Sequence, residues 1–105
     1  MKLITAGTIA RWSRQWPDAA APLATWRHIV QHATWTSAHE VCRTRPNTSD
    51  VGNNRLVFRL GGGDFRLVVR YNFSNGCQVF WLHWFGTHAD YDRIDPATVP
   101  PRLLR

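Results

Sequence analysis

Arginine and apolar residues interleave with period two on either side of a glycine turn at residues 61–64. Before the turn the chain reads Arg55-Leu56-Val57-Phe58-Arg59-Leu60, and after it Phe65-Arg66-Leu67-Val68-Val69-Arg70. Successive side chains of a strand point to opposite faces, and β-branched and aromatic residues favour strands, so the pattern predicts a β-hairpin. With Gly62 and Gly63 as the two turn residues, Arg59 faces Arg66 and Arg55 faces Arg70, all on one side. The other side takes Leu56, Phe58, Leu60, Phe65, Leu67, Val69 and Tyr71.

The rest of the chain changes period. Residues 2–4 are a short apolar start, read as an edge strand. Thr5 is placed to cap a helix over about residues 6–16, with Ile9, Trp12 and Trp16 on one side and Pro17 as its stop. Asp18 opens a second helix, in which Pro22 is tolerated in the first turns and Leu23, Trp26, Ile29, Val30 and Ala33 form the apolar stripe. Ser37 and Glu40 make a capping box, predicting a short helix to about Arg43. Residues 46–54 are turn-rich and read as a loop. Asn75-Gly76 is a two-residue turn signal leading into a third strand over residues 78–85. Asp95-Pro96 marks a last turn or short helix.

A strand and helices followed by an antiparallel meander predict an α+β fold. Its N-terminal short strand and two helices pack on one face of a small, mainly antiparallel sheet. Phe80, Leu82 and Trp84 join the helix-facing set. The 105 residues suit a single domain over 1–105, with a loose tail from about residue 99. On the opposite face, the Asn75-Gly76 turn sets Val68 opposite His83 and Arg70 opposite Trp81. Arg55, Arg59, Arg66, Arg70, Trp81 and His83 then share one surface, a grouping that a one-residue slip would scatter.

Charge gives that surface a meaning. The net charge is +6, and twelve of the thirteen basic residues are arginine. The pI is about 10.7. Like charges facing each other across strands are destabilising. A sheet that accepts them is expected to meet a polyanion, and guanidinium suits phosphate and base stacking better than ammonium. Cations beside an aromatic ring form a platform for single-stranded RNA. Hydrophobic residues make up 44% and include six Trp, which argues against disorder. Cys42 and Cys77 form no C-x-x-C motif and read as reduced. No apolar run approaches the ~18 residues of a membrane span, and no signal-peptide core follows Met1. A cytoplasmic location is expected.

Three ordered stretches carry a family resemblance: Val51-Gly52-Asn53-Asn54-Arg55-Leu56-Val57-Phe58, Phe65-Arg66-Leu67-Val68-Val69, and Gly86-Thr87-His88-Ala89-Asp90-Tyr91-Asp92-Arg93-Ile94-Asp95. Together with the Trp16-Pro17-Asp18-Ala19 junction they resemble the HigB-type toxins of the RelE/ParE toxin–antitoxin superfamily. The resemblance implies a RelE-like fold and a metal-independent mRNA endoribonuclease (an mRNA interferase) that often acts on the ribosome. It implies no cofactor. The implied partner is a helix-turn-helix antitoxin of the HigA type, through which alone operator DNA is reached; no membrane partner is implied. By motif, Arg66, His88 and Tyr91 match the family's catalytic positions, with Arg55 and Arg70 as phosphate-binding neighbours. Many relatives carry an arginine where this chain has His83.

Metal-free RNA cleavage needs a base for the 2′-OH, cations for the phosphorane, and an acid for the leaving 5′-oxygen. Arg66 and Arg70 are assigned to the developing charge. His88 is the first candidate for base or acid, because imidazole titrates near neutral pH. His83 is the second, and Tyr91 either stacks on a base or donates a proton. Arg55, Arg59, Arg70 and Trp81 are assigned to RNA binding. Each has a plainer alternative: a loop hydrogen bond for His88, packing beside Trp81 for His83, ring packing for Tyr91, and solvated surface for Arg55 and Arg59. Trp12, Trp16, Trp26, Trp35 and Trp84 read as core. His83, His88, Asp90 and Asp92 lack a compact metal-ligand spacing. His28 and His32, four apart on a helix, read as surface residues. Two other function classes remain open: a ParE-like, non-catalytic inhibitor of DNA gyrase, and an RNA-binding module.

Overall fold

The computed structural model describes residues 1–4 and 7–102. Thr5, expected as a helix cap, and residues 103–105 of the expected tail lie outside the described residues. The elements are β1 (Lys2–Ile4), α1 (Gly7–Gln15), a 3-10 turn (Pro17–Ala19), α2 (Ala20–His32), α3 (Ala38–Thr44), β2 (Thr48–Gly52), β3 (Arg55–Leu60), β4 (Phe65–Asn72), β5 (Val79–Thr87) and α4 (His88–Tyr91). They form an α+β structure around a five-stranded sheet of order β1-β5-β4-β3-β2. In it β1 runs parallel to β5, and the other neighbours are antiparallel.

Local chemistry sets the helix ends. Ser37 accepts a hydrogen bond from the Glu40 backbone N–H at 3.1 Å, so the predicted cap starts α3. Pro17 lacks the N–H that would continue α1, and it opens the 3-10 turn instead. Trp12, Leu23, Trp26, Val30 and Val41 from the helices share one buried cluster with Leu56, Phe58, Phe65, Leu67, Val69, Phe80 and Leu82 from the sheet.

The arginine register is as the sequence predicts: Arg59 pairs with Arg66 and Arg55 with Arg70. The turn differs in form, with Gly61, Gly62 and Gly63 all at positive φ and Asp64 completing a four-residue loop. Residues 46–54 are not simply a loop, because β2 lies within them. Asn53 and Asn54, at φ 54° and 58°, form a tight turn that folds β2 back onto β3. The β4–β5 connection spans residues 73–78 rather than Asn75-Gly76 alone.

Two expectations fail near the end of β5. Arg70 pairs with Trp81 as predicted, but a register shift between Val68 and Val69 sets Val68 opposite Trp84, not His83. A bulge adds one residue to β5 and reverses the phase beyond it. Phe85 therefore faces the helices, stacked on Trp12 with ring centroids 5.4 Å apart. Trp84 leaves the helix-facing set and joins Val57, Val68 and Val99 in a second buried cluster on the arginine face. The segment expected to be loose from about residue 99 supplies that cluster: Val99 is buried, and Arg102 N donates to the His83 carbonyl at 2.8 Å. Residues 95–102 thus form a strap across the sheet.

Candidate functional site

The strap divides the arginine face into two corners. Val57, Val68 and Trp84 lie under Val99 in the middle, Arg59 and Arg66 stand at one end, and Arg55 and Arg70 at the other.

The first corner forms where β5 runs into α4. Thr87 Oγ1 accepts from Asp90 N at 3.2 Å and caps the helix, while His88 N donates to the Asp64 carbonyl at 2.9 Å, tying α4 to the glycine loop. Arg66 Nη1 donates to the Gly63 carbonyl at 2.6 Å, and its guanidinium carbon lies 5.7 Å from the centre of the Tyr91 ring. Tyr91 is half-buried and tilted against Trp84 at 6.3 Å. Burial raises the Tyr91 phenol above its ordinary value, against the opposing pull of Arg66 and Arg59. The phenol therefore stays protonated at neutral pH and is equipped to donate. His88 is exposed, with Nδ1 3.7 Å from Asp92 Oδ2. That is a weak, solvated pair, and it leaves the ring accessible. Arg59 is exposed, and its Nη2 makes a long contact, 3.4 Å, to the Pro46 carbonyl. The structure thus brings Arg59, Arg66 and Tyr91 together, while His88 stands on α4 at the same end of the sheet with its ring turned to Asp92.

His83 and Arg55 lie under the strap instead. His83 is only 4% exposed. Its Nε2 lies 2.6 Å from the Val99 carbonyl, which can only accept, so Nε2 carries the proton. Burial lowers the His83 pKa; the Val99 contact opposes this, and Arg55 and Arg70 add to it. The ring is neutral at pH 7 and is no cationic substitute for an arginine. Arg55 Nη1 donates to the carbonyls of Pro96 and Val99 at 3.0 and 2.7 Å. Burial and then Arg70 lower its pKa, and Asp95 opposes them. Two donors expected to meet RNA are therefore committed to holding the strap.

The second corner holds Arg70, exposed, with its guanidinium carbon 5.4 Å from the Trp81 ring centre. Both border a cleft of about 530 Å³. His28 and His32 are both exposed on α2, away from these corners, with ring centroids 4.5 Å apart. Among the described residues, no three His, Cys, Asp or Glu side chains gather where a metal ion could be shared. No helix among them is long and apolar enough to cross a membrane.

Sequence reasoning missed Arg102. Its guanidinium carbon lies 5.3 Å from the rings of both Trp16 and Trp84. Its Nη1 donates to the Phe85 carbonyl at 3.2 Å and sits 3.6 Å from Asp90 Oδ2. These contacts explain Gly86: a Cβ there would fall 2.6 Å from the Trp84 ring and 2.9 Å from Arg102 Nη1. No local pattern around Arg102 signals such a role, because all its partners are tertiary.

A family model for HigB_toxin, described as the RelE-like toxic component of a toxin-antitoxin system, matches residues 19–94. That span runs from the end of the 3-10 turn to the residues just after α4, and it includes both corners. No curated protein matches the chain.

Proposed function

The chain belongs to the HigB family of RelE-like toxins, the toxic components of toxin–antitoxin systems, and from that premise we propose that it is a metal-independent endoribonuclease acting on mRNA. Its helix-and-sheet arrangement is then the RelE-like one, its partner a HigA-type helix-turn-helix antitoxin, and its setting the ribosome in the cytoplasm. The observation that carries the reading is the first corner. Two cross-strand arginines stand beside a protonated phenol, and α4 carries an accessible imidazole at the same end of the sheet.

The 2′-oxygen attacks the adjacent phosphorus while His88 takes its proton. The P–O5′ bond breaks, and Tyr91 supplies the proton that the 5′-oxygen needs. The products are a 2′,3′-cyclic phosphate and a 5′-hydroxyl. Arg66, with Arg59 beside it, stabilises the negative charge that builds on the phosphorane oxygens. Arg70 and Trp81 hold the flanking RNA. We assign His83 and Arg55 no contact with the scissile phosphate; they position the strap.

The test is to express the toxin without its antitoxin and map mRNA 5′ ends, then repeat with purified RNA, with and without ribosomes, in the presence of a chelator. New 5′-hydroxyl ends that persist under chelation are expected. Intact transcripts accompanied by blocked DNA supercoiling would replace this reading with the gyrase one, and RNA binding without new ends would replace it with a plain binding module.

A further inference from the structure

The catalytic corner leaves the Arg70–Trp81 cleft without a defined ligand geometry. We propose that this cleft is a separate nucleotide subsite, taking one base and its phosphate from the same single-stranded RNA on the far side of the strap. The proposal rests on the ribonuclease reading and adds to it a second binding position and a minimum substrate length.

The cleft is lined by Asn54, Arg70, Tyr71, Asn72, Ser74 and Trp81 among others. The lining contains a cation, side-chain amides, two hydroxyls and three aromatic rings, but no carboxylate. Asp50, on the neighbouring strand, is met by the Tyr71 hydroxyl at 3.4 Å. Arg70 lies over Trp81 yet remains exposed, and no ion pair holds it among the described residues. The Arg70 guanidinium lies within cation–π range of the Trp81 ring and is exposed, so a base can add beside the pair and stack on it. The guanidinium edge stays available to a phosphate; Asn72 Oδ1 already accepts from Ser74 N at 2.8 Å, which leaves its Nδ2 and the Asn54 amide for a base edge. Stacking of this kind accepts every base.

Spacing sets the length. Arg70 is four residues along β4 from Arg66, about 13 Å at the usual strand rise. A stacked strand advances about 3.4 Å per nucleotide, so the subsite lies up to about four nucleotides from the scissile phosphate, and fewer if the strand is extended. The ridge of Val99 over Val57, Val68 and Trp84 stands between the two corners. The RNA must cross it, so a dinucleotide that fills the catalytic corner does not reach the cleft.

The experiment measures binding of 2′-O-methyl oligoribonucleotides, from dinucleotide to hexanucleotide, to the full chain freed of antitoxin. These probes lack the nucleophile and stay intact. Affinity is expected to step up at the length that reaches the cleft. Arg70→Ala, at an exposed position, should reduce that step roughly five- to hundredfold and weaken dinucleotide binding far less. Arg70→Lys should restore only part of it. Trp81→Phe should retain a reduced step even if Trp81→Ala fails to fold. A smooth rise of affinity with length, unmoved by Arg70→Ala, overturns the subsite. So does an Arg70→Ala variant that loses antitoxin binding alone, which would make the cleft a protein-binding site. Absence of cleavage of any RNA would overturn the catalytic reading instead; the length step in 2′-O-methyl binding would still support the cleft.

Discussion

Arg66 is fixed without being neutralised. Its hydrogen bonds go to the carbonyls of Gly63 and Phe65, and its other neighbour is the Tyr91 ring. Backbone carbonyls orient a guanidinium and leave its full charge for a phosphate. Removing a donor aimed at developing charge costs roughly 10²–10³ in rate. Arg66→Ala should therefore cut single-turnover RNA cleavage about a hundredfold or more. Its melting temperature should stay close to wild type, since only half-buried side-chain contacts are lost. A rate within about threefold of wild type would remove Arg66 from the mechanism. This residue and its partner Arg59 were legible in the sequence, because a hairpin register depends only on the residues within it. His83 was not. Its placement required counting through a bulge that no residue of β5 announces, and its burial depends on a strap contributed by a distant part of the chain.

The last strand and the strap act as one element. The bulge turns Trp84 onto the arginine face, Val99 and Arg102 pack against that ring, and Gly86 leaves room for both. Gly86→Ala would drive a methyl group into Trp84, and overpacking of this kind costs about 1–3 kcal/mol. A lower urea midpoint with an unchanged slope is the expected result, and an unchanged midpoint would show that the ring can yield. The strap also carries a pH signature. The folded His83 pKa lies below its ordinary value of 6.5, while the unfolded chain keeps that value. Above pH 6.5 both states are neutral and the His83 contribution to stability is complete. As pH falls below 6.5, the unfolded state takes up its proton first, so stability declines until the lowered folded pKa is passed. Melting curves of wild type and His83→Gln between pH 8 and pH 5 isolate this effect, because the other four histidines are exposed in both proteins. Wild type should lose more stability than the variant over the acidic half; parallel curves would contradict the buried, neutral ring. The strand β2 belongs to the same lesson. Thr48-Ser49-Asp50 has no apolar alternation to mark a strand, and its place at the sheet edge comes from backbone pairing to β3 and the Asn53-Asn54 turn.

At the scale of the whole molecule, the +6 charge is unevenly committed. Arg55 is spent on the Pro96 and Val99 carbonyls, and Arg102 is held between two tryptophans beside Asp90. Arg59, Arg66 and Arg70 remain on the sheet face with their charge directed to neither strap nor carboxylate. Net charge alone would suggest a steep electrostatic dependence, whereas the geometry argues for a shallow one. Each phosphate neutralised on a single strand contributes a slope of about −0.7 in log affinity against log salt. Three free arginines therefore predict a slope near about −2 for an oligonucleotide long enough to span both corners. Arg70→Ala should make that slope shallower by about 0.7, and Arg55→Ala should leave it unchanged, although both substitutions remove one unit of charge. A salt titration of 2′-O-methyl hexanucleotide binding distinguishes the two. Equal changes in slope for both variants would mean that overall charge governs binding; a change confined to Arg70→Ala would mean that the strap has already withdrawn Arg55 from the RNA.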